Sequence, residues 1–69
     1  MPLSMAREGQ EIQIKKIAGK EEVQHFLKNL GFVSGGFVTV LSETAGNLIV
    51  KVKDSRVAIS KEMANKILI

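Results

Sequence analysis

The stretch Gly31-Phe32-Val33-Ser34-Gly35-Gly36-Phe37-Val38-Thr39-Val40 marks the point where a helical sequence pattern ends and a strand pattern begins. Before it, four apolar residues follow the helical spacing i, i+3, i+4 and i+7: Val23, Phe26, Leu27 and Leu30. They predict one buried stripe on a helix over about residues 20–30. Gly31 is predicted to end that helix in the left-handed conformation, which costs other residues roughly 1–2 kcal/mol. Gly35 then belongs to a turn that starts a strand at Phe37.

The residues after Phe37 predict three antiparallel strands that share one apolar face. A two-residue turn at Asp54-Ser55 would set three cross-strand pairs: Lys53 with Arg56, Val52 with Val57, and Val50 with Ile59. The hairpin before it is expected to pair Val38 with Val52 and Val40 with Val50. That pairing requires a loop with an odd number of residues at 43–47, or a bulge. Gly46 or Asn47 is the expected left-handed residue of the loop.

Strand patterns also lie near both ends of the chain. In residues 10–15, Ile12 and Ile14 alternate with polar residues, which is typical of a strand with one buried face. A terminal strand over residues 66–69 is expected to lie beside Pro2-Leu3 and to close the sheet. Short strands with one brief helix predict a mainly β protein, a small and partly closed β-barrel of the SH3-like kind.

Two serines predict short helical turns. Ser4 is expected to cap a turn near residues 5–8 that Gly9 closes. Ser60 is expected to cap a second turn at residues 61–64.

Composition limits the class of protein. A chain of 69 residues has room for one domain, residues 1–69, and a hydrophobic fraction of 45% is typical of a folded protein. The absence of cysteine excludes disulfides and thiolate metal clusters, so we expect a cytoplasmic location. No stretch reaches the roughly 18–20 apolar residues of a membrane helix, and no signal peptide pattern is present. The net charge of +3 permits an acidic partner without selecting one.

Patterns for catalysis and metal binding are sparse. With a single histidine and no cysteine, the sequence offers no catalytic triad, and its glycines lack the Gly-Lys-Ser/Thr ending of a phosphate loop. We therefore expect neither enzymatic activity nor a resident cofactor. Glu21 and His25 lie four residues apart on one exposed helix face and are candidates for weak divalent metal binding. An ordinary solvated pair is the preferred interpretation.

The outward side of the predicted β-hairpin carries apolar residues. If the valines of these strands point inward, Phe37, Leu41 and Ile49 point outward, with Leu41 opposite Ile49. Either the helix covers this strip, or the strip is a docking surface for a partner protein or a second copy of the chain.

Lys51, Lys53 and Arg56 form a basic cluster on the same strands. The cluster suits an acidic protein surface or RNA, but protection of an exposed strand from aggregation is the favoured explanation. Proteins that bind single-stranded nucleic acid usually stack the bases on aromatic side chains. This sequence has three phenylalanines and no tyrosine or tryptophan. Nucleic acid binding is therefore the weaker prediction.

A spaced set of apolar residues and glycines extends over nearly the whole chain. The set comprises Leu3-Ser4, Gly9, Ile12, Ile14, the run Leu27-x-x-Leu30-Gly31-Phe32-x-x-Gly35, and then Val38, Val40, Val57-Ala58-Ile59, Ala64 and Ile67. This order resembles the ferrous iron transport protein A (FeoA) family. The resemblance implies an SH3-like fold.

The resemblance also implies a function. Proteins of this kind are accessory components of ferrous iron uptake that act on the cytoplasmic GTPase domain of a membrane permease, without being inserted in the membrane themselves. The alternatives are an RNA-binding barrel, or a metal-responsive regulatory or metal-carrier domain, because a related barrel is attached to metal-dependent repressors.

Overall fold

Six strands, two helices and one 3-10 turn make up the chain, and the computed structural model describes all residues from 1 to 69. The strands are β1 (Glu11–Gln13), β2 (Lys16–Ile17), β3 (Phe37–Thr44), β4 (Asn47–Val52), β5 (Ser55–Ser60) and β6 (Ile67–Leu68). The helices are α1 (Glu21–Leu30) and α2 (Lys61–Ala64), and the 3-10 turn spans Leu3–Met5. A four-stranded sheet has the order β1-β3-β4-β5, and a two-stranded sheet joins β2 to β6.

Helix α1 ends at the predicted glycine. Gly31 has a φ of 111°, and its N–H donates to the carbonyl oxygen of Lys28 over 3.0 Å. The N–H of Phe32 donates to the carbonyl oxygen of Leu27, also over 3.0 Å, which completes a Schellman ending. Leu27 and Phe32 are both 0% exposed, so the reversal of the chain is fixed against the core.

The apolar stripe of α1 is narrower than predicted. Leu27 is fully buried, and Val23 and Leu30 are partly buried against the core. Phe26 is 50% exposed, so its predicted burial is wrong. The reason is its place at the edge of the face that these three residues define, which turns the ring toward solvent.

The β3–β4 hairpin has the predicted pairing. Val38 pairs with Val52, and Val40 pairs with Val50. Beyond Val40 the register shifts by one residue, because Leu41 is left unpaired in a bulge. The prediction that a bulge or an odd loop keeps the valines on one face is confirmed.

The turn of this hairpin contains two residues, an even number. The bulge alone therefore supplies the extra residue that keeps the valines of β3 and β4 on one face. Ala45 and Gly46 form it with φ values of 44° and 85°. The predicted pairing of Leu41 with Ile49 is wrong, because the bulge places Ser42 opposite Ile49.

The β4–β5 turn lies one residue earlier than predicted. Lys53 and Asp54 form it with φ values of 49° and 64°, rather than Asp54-Ser55. The three predicted cross-strand pairs are therefore wrong and are replaced by Lys51 with Arg56, Val50 with Val57, and Leu48 with Ile59. Because moving a turn by one residue shifts the pairing by two, every side chain keeps its predicted face.

The first helical turn also lies earlier than predicted. It spans Leu3–Met5 rather than residues 5–8 and forms around the buried side chain of Leu3. The Ser4 hydroxyl does not cap it and donates instead to Oδ1 of Asn65. The N–H of Gly9 donates to a β3 carbonyl over 2.7 Å. The four glycines predicted at turns or caps have φ values of 81° (Gly9), 111° (Gly31), 85° (Gly35) and 85° (Gly46).

The strands form two sheets rather than one closed barrel. The predicted strand at residues 10–15 is shorter than expected, since β1 ends at Gln13, and it pairs with β3. A separate strand, β2, follows it outside the predicted range, was not predicted, and pairs with β6. Pro2 bridges Leu68, so the terminal strand lies beside Pro2 as predicted. That strand does not join the four-stranded sheet, and the predicted closure is wrong.

The second helical turn is confirmed, and it helps to cover the core. Ser60 caps α2 by accepting the N–H of Met63 over 3.2 Å. Both sheets and both helices contribute to a single core of 13 buried apolar residues. These are Leu3, Ile14, Leu27, Phe32, Val38, Val40, Leu48, Val50, Val52, Ile59, Ala64, Ile67 and Ile69.

Candidate functional site: the outer face of the four-stranded sheet

One face of the four-stranded sheet packs on the core, and the other points away from it. The side chains on the second face are defined here as the outer face: Glu11, Gln13, Phe37, Thr39, Ser42, Ile49, Lys51, Arg56 and Ala58. Phe37 is 55% exposed. Helix α1 buries Leu27 in the core rather than on this side of the sheet, so Phe37 remains open to solvent.

Two cations lie side by side on the outer face. Lys51 is directly opposite Arg56 across β4 and β5, and neither forms an ion pair. The one ion pair of the chain joins Lys61 Nζ to Glu43 Oε1. Like charges directly opposite each other in an antiparallel sheet are destabilising. Lys51 and Arg56 are both exposed, so an acidic partner could reach either cation.

A shallow concavity of about 300 Å³ connects the aromatic and basic parts of this face. It is lined by Glu11, Phe37, Thr39, Lys51, Lys53 and Asp54. Lys53 reaches the concavity from the β4–β5 turn, where it has a left-handed backbone. The lining holds two ammonium groups and two carboxylates, so its formal charges balance. The exposed ring of Phe37 is its apolar part, and a partner surface that presents an apolar group among polar groups of both charges suits it.

The residues predicted for docking are only partly brought together. Phe37, Lys51 and Lys53 line the concavity, whereas Leu41, Ile49 and Arg56 do not. Leu41 and Ile49 are half-buried at the bulge, and Arg56 is exposed on β5.

Three residues of the concavity were missed from the sequence: Glu11, Thr39 and Asp54. Glu11 lies opposite Thr39 because β1 pairs with β3. The alternating pattern of β1 does not show which strand it pairs with, so this contact was not predicted. The alternation of Glu11 with the apolar Ile12 was the available signal that its side chain points outward.

Glu21 and His25 lie on the exposed side of α1. Together with Gln24 and Lys28 they line a concavity of about 220 Å³. No three His, Cys, Asp or Glu side chains come together in the chain to form a metal site. The Lys28 ammonium beside the pair opposes a cation, and metal binding by Glu21 and His25 stays a prediction.

No helix of the structure can span a membrane, since the longest has ten residues and a polar face.

Comparison with known proteins places this geometry in a family. The FeoA domain model matches residues 1–69. An Fe(2+) transport protein A of Methanocaldococcus jannaschii is 32% identical over 68 residues, covering 99% of this chain and 83% of that protein. The crystal structure of an iron uptake regulatory protein (FeoA) has a TM-score of 0.88 at 29% identity, covering 97% of this chain and 91% of that one.

A third comparison bears on the fold. FeoA of Stenotrophomonas maltophilia, described as a prokaryotic SH3 domain protein and solved in complex with zinc, has a TM-score of 0.86 at 22% identity. The match covers 99% of this chain and 87% of that chain, and it confirms the predicted SH3-like fold. Together with the match of the family model to residues 1–69, these likenesses show that the chain belongs to the FeoA domain family.

Proposed function

We propose that this protein is an accessory component of ferrous iron uptake. It acts in the cytoplasm, where it docks on the GTPase domain of an iron permease and modulates transport. Membership of the FeoA family supports this role, as does the name of the relative from M. jannaschii, Fe(2+) transport protein A. The protein catalyses no reaction itself and works without a resident cofactor.

The outer face is the docking surface in this proposal. The observation that carries it is the exposed ring of Phe37, on the same face as Lys51 and Arg56, neither of which forms an ion pair. Aromatic and arginine side chains are enriched among the residues that anchor protein interfaces. Exposed cations speed the approach of an acidic partner. The expected counterpart is an acidic area of the GTPase domain with an apolar pocket.

Calorimetric titration with the purified GTPase domain of the permease from the same organism tests this proposal. We expect saturable binding that weakens as salt is added, because exposed charges are screened. Phe37→Thr should weaken binding by at least about tenfold, since loss of an aromatic anchor costs about 2 kcal/mol or more. Threonine keeps the strand propensity of the position.

Phe26→Gln is the matched control for this experiment. Phe26 is 50% exposed, close to the 55% of Phe37, but it lies on α1 outside the outer face. Glutamine is a good helix former, so the fold should be kept. Absence of binding by the unaltered protein, or an equal loss in both variants, would refute docking through the outer face. Sedimentation of the protein alone shows whether a second copy occupies the face instead.

RNA is the alternative ligand for the same cations. Phe37 is the one aromatic side chain of the outer face, whereas proteins that hold single strands stack successive bases on several rings. We expect no retention of poly(U) in filter binding between about 50 and 200 mM salt. Tight retention that falls steeply with salt would favour the RNA-binding alternative.

A further inference from the structure

A second groove lies where helix α1, strand β2 and the segment after Gly31 meet. Its volume is about 320 Å³. We define it as the helix groove by the residues that carry its chemistry: Lys16, Ile17, Gln24, Lys28, Phe32 and Val33. None of them belongs to the outer face, so what binds here is independent of the proposed function.

The helix groove has a charged rim and an apolar floor. Lys16 on β2 and Lys28 on α1 are exposed, and neither forms an ion pair. Phe32 is buried and Val33 is half-buried. Lysines on two walls above an apolar floor suit a ligand that carries a carboxylate and an apolar group close together.

Strand β2 adds a main-chain edge to this groove. It pairs only with β6, where the N–H of Ala18 donates to the carbonyl of Lys66 over 2.6 Å and Ile17 lies opposite Ile67. Because the bonds of an antiparallel ladder alternate in direction, the N–H and C=O of Ile17 point away from β6. Ile17 also lines the groove, so an extended peptide can pair with this edge.

We propose that the helix groove binds an extended peptide segment of a partner protein, in which an acidic residue and an apolar residue stand two positions apart. At that spacing both side chains point to the same side of the peptide. The peptide main chain pairs with β2 at Ile17. Its carboxylate lies between Lys16 and Lys28, and its apolar side chain packs on Val33 above Phe32. A free anion would use the lysines but leave the strand edge and the apolar floor unfilled.

The test uses the full chain labelled with ¹⁵N and a capped serine hexapeptide that carries one aspartate and one leucine two positions apart. We expect saturable shifts of amide signals that centre on Ile17 and Val33. A peptide with lysine in place of the aspartate should cause no such shifts. Sodium acetate at the same concentration separates binding of a bare carboxylate from binding of the peptide.

Two charge reversals test the role of the rim. Lys28→Glu and Lys16→Glu should each weaken peptide binding by about tenfold or more, because a like charge then faces the carboxylate. Lys15→Glu is the matched control, since Lys15 is an exposed lysine next to Lys16 that does not line the groove. The spectrum of each free variant reports its fold, and either reversal suffices if the other fails to fold.

Several results would overturn the proposal. They are shifts centred on the outer face, equal binding of the lysine peptide, reproduction of the shifts by acetate, no saturable shift, or an equal loss in Lys15→Glu. None of these readouts involves the GTPase domain. The proposal for the helix groove and the proposal for the outer face can therefore be refuted independently.

Discussion

The two faces of strands β3 and β4 use one backbone for opposite purposes. On the inner face four valines are between 0% and 2% exposed: Val38, Val40, Val50 and Val52. On the outer face Phe37 is 55% exposed, and Lys51 lies opposite Arg56, with neither forming an ion pair. The inner face supplies most of the stability of the sheet. The outer face can therefore keep contacts that are unfavourable in the isolated chain, such as the pairing of two cations.

Truncation of neighbouring residues on β4 should give the largest contrast. Val50→Ala removes two methyl groups from a fully buried site, so the free energy of unfolding should fall by about 2–3 kcal/mol. Ile49→Ala removes a half-buried side chain on the outer face and should cost about 1 kcal/mol. Urea unfolding followed by circular dichroism measures both losses. Equal losses would contradict the division between the faces.

A smaller loss is expected where α1 meets the inner face. Gly31→Ala should lower the free energy of unfolding by about 1–2 kcal/mol, because φ is 111° there. An added Cβ would lie 3.5 Å from Val52 Cγ2, an ordinary contact, so the loss is backbone strain. Asn29→Ala, at an exposed helix position, is the control and should be neutral or stabilising. A variant at Gly31 that unfolds like the unaltered protein would show that the helix end does not need the left-handed residue.

The smallest effect should have the opposite sign. Arg56→Glu turns the repulsion from Lys51 into attraction at a position outside the concavity that Glu11 and Asp54 line, so the free energy of unfolding should rise by about 0.2–1 kcal/mol. The gain should shrink at high salt, and binding to the GTPase domain should weaken. Lys15→Glu, outside the four-stranded sheet, should leave the unfolding free energy nearly unchanged. A loss of stability in Arg56→Glu would contradict the unfavourable pairing assigned to Lys51 and Arg56.

The division between the faces was predictable because side chains alternate along a strand. The β4–β5 turn was predicted one residue too late, yet the inward direction of Val50 and Val52 was right, since the error moved the pairing by two residues. The outward direction of Phe37 and Lys51 followed from the same alternation.

Pairing between strands was less predictable than side-chain direction. The β4–β5 turn uses two left-handed residues without glycine, Lys53 and Asp54. Asp54 and Ser55 are both common turn residues, so the turn was placed one residue late and Arg56 was paired with the wrong lysine. Strand β2 has two residues, too few for a periodic pattern, and its partner β6 lies at the other end of the chain. The helix groove includes residues of β2, so it could not be predicted from periodic patterns in the sequence.

The unpaired Leu41 makes the β3–β4 hairpin tolerant of a change in length. The residues on either side of it pair with Val50 and Ile49, which are consecutive on β4. Deleting Leu41 alone would therefore leave an uninterrupted ladder that is closed by the same Ala45-Gly46 turn. Every later side chain would keep its direction, whereas a deletion within the bulge-free β4–β5 ladder would exchange buried for exposed positions beyond it.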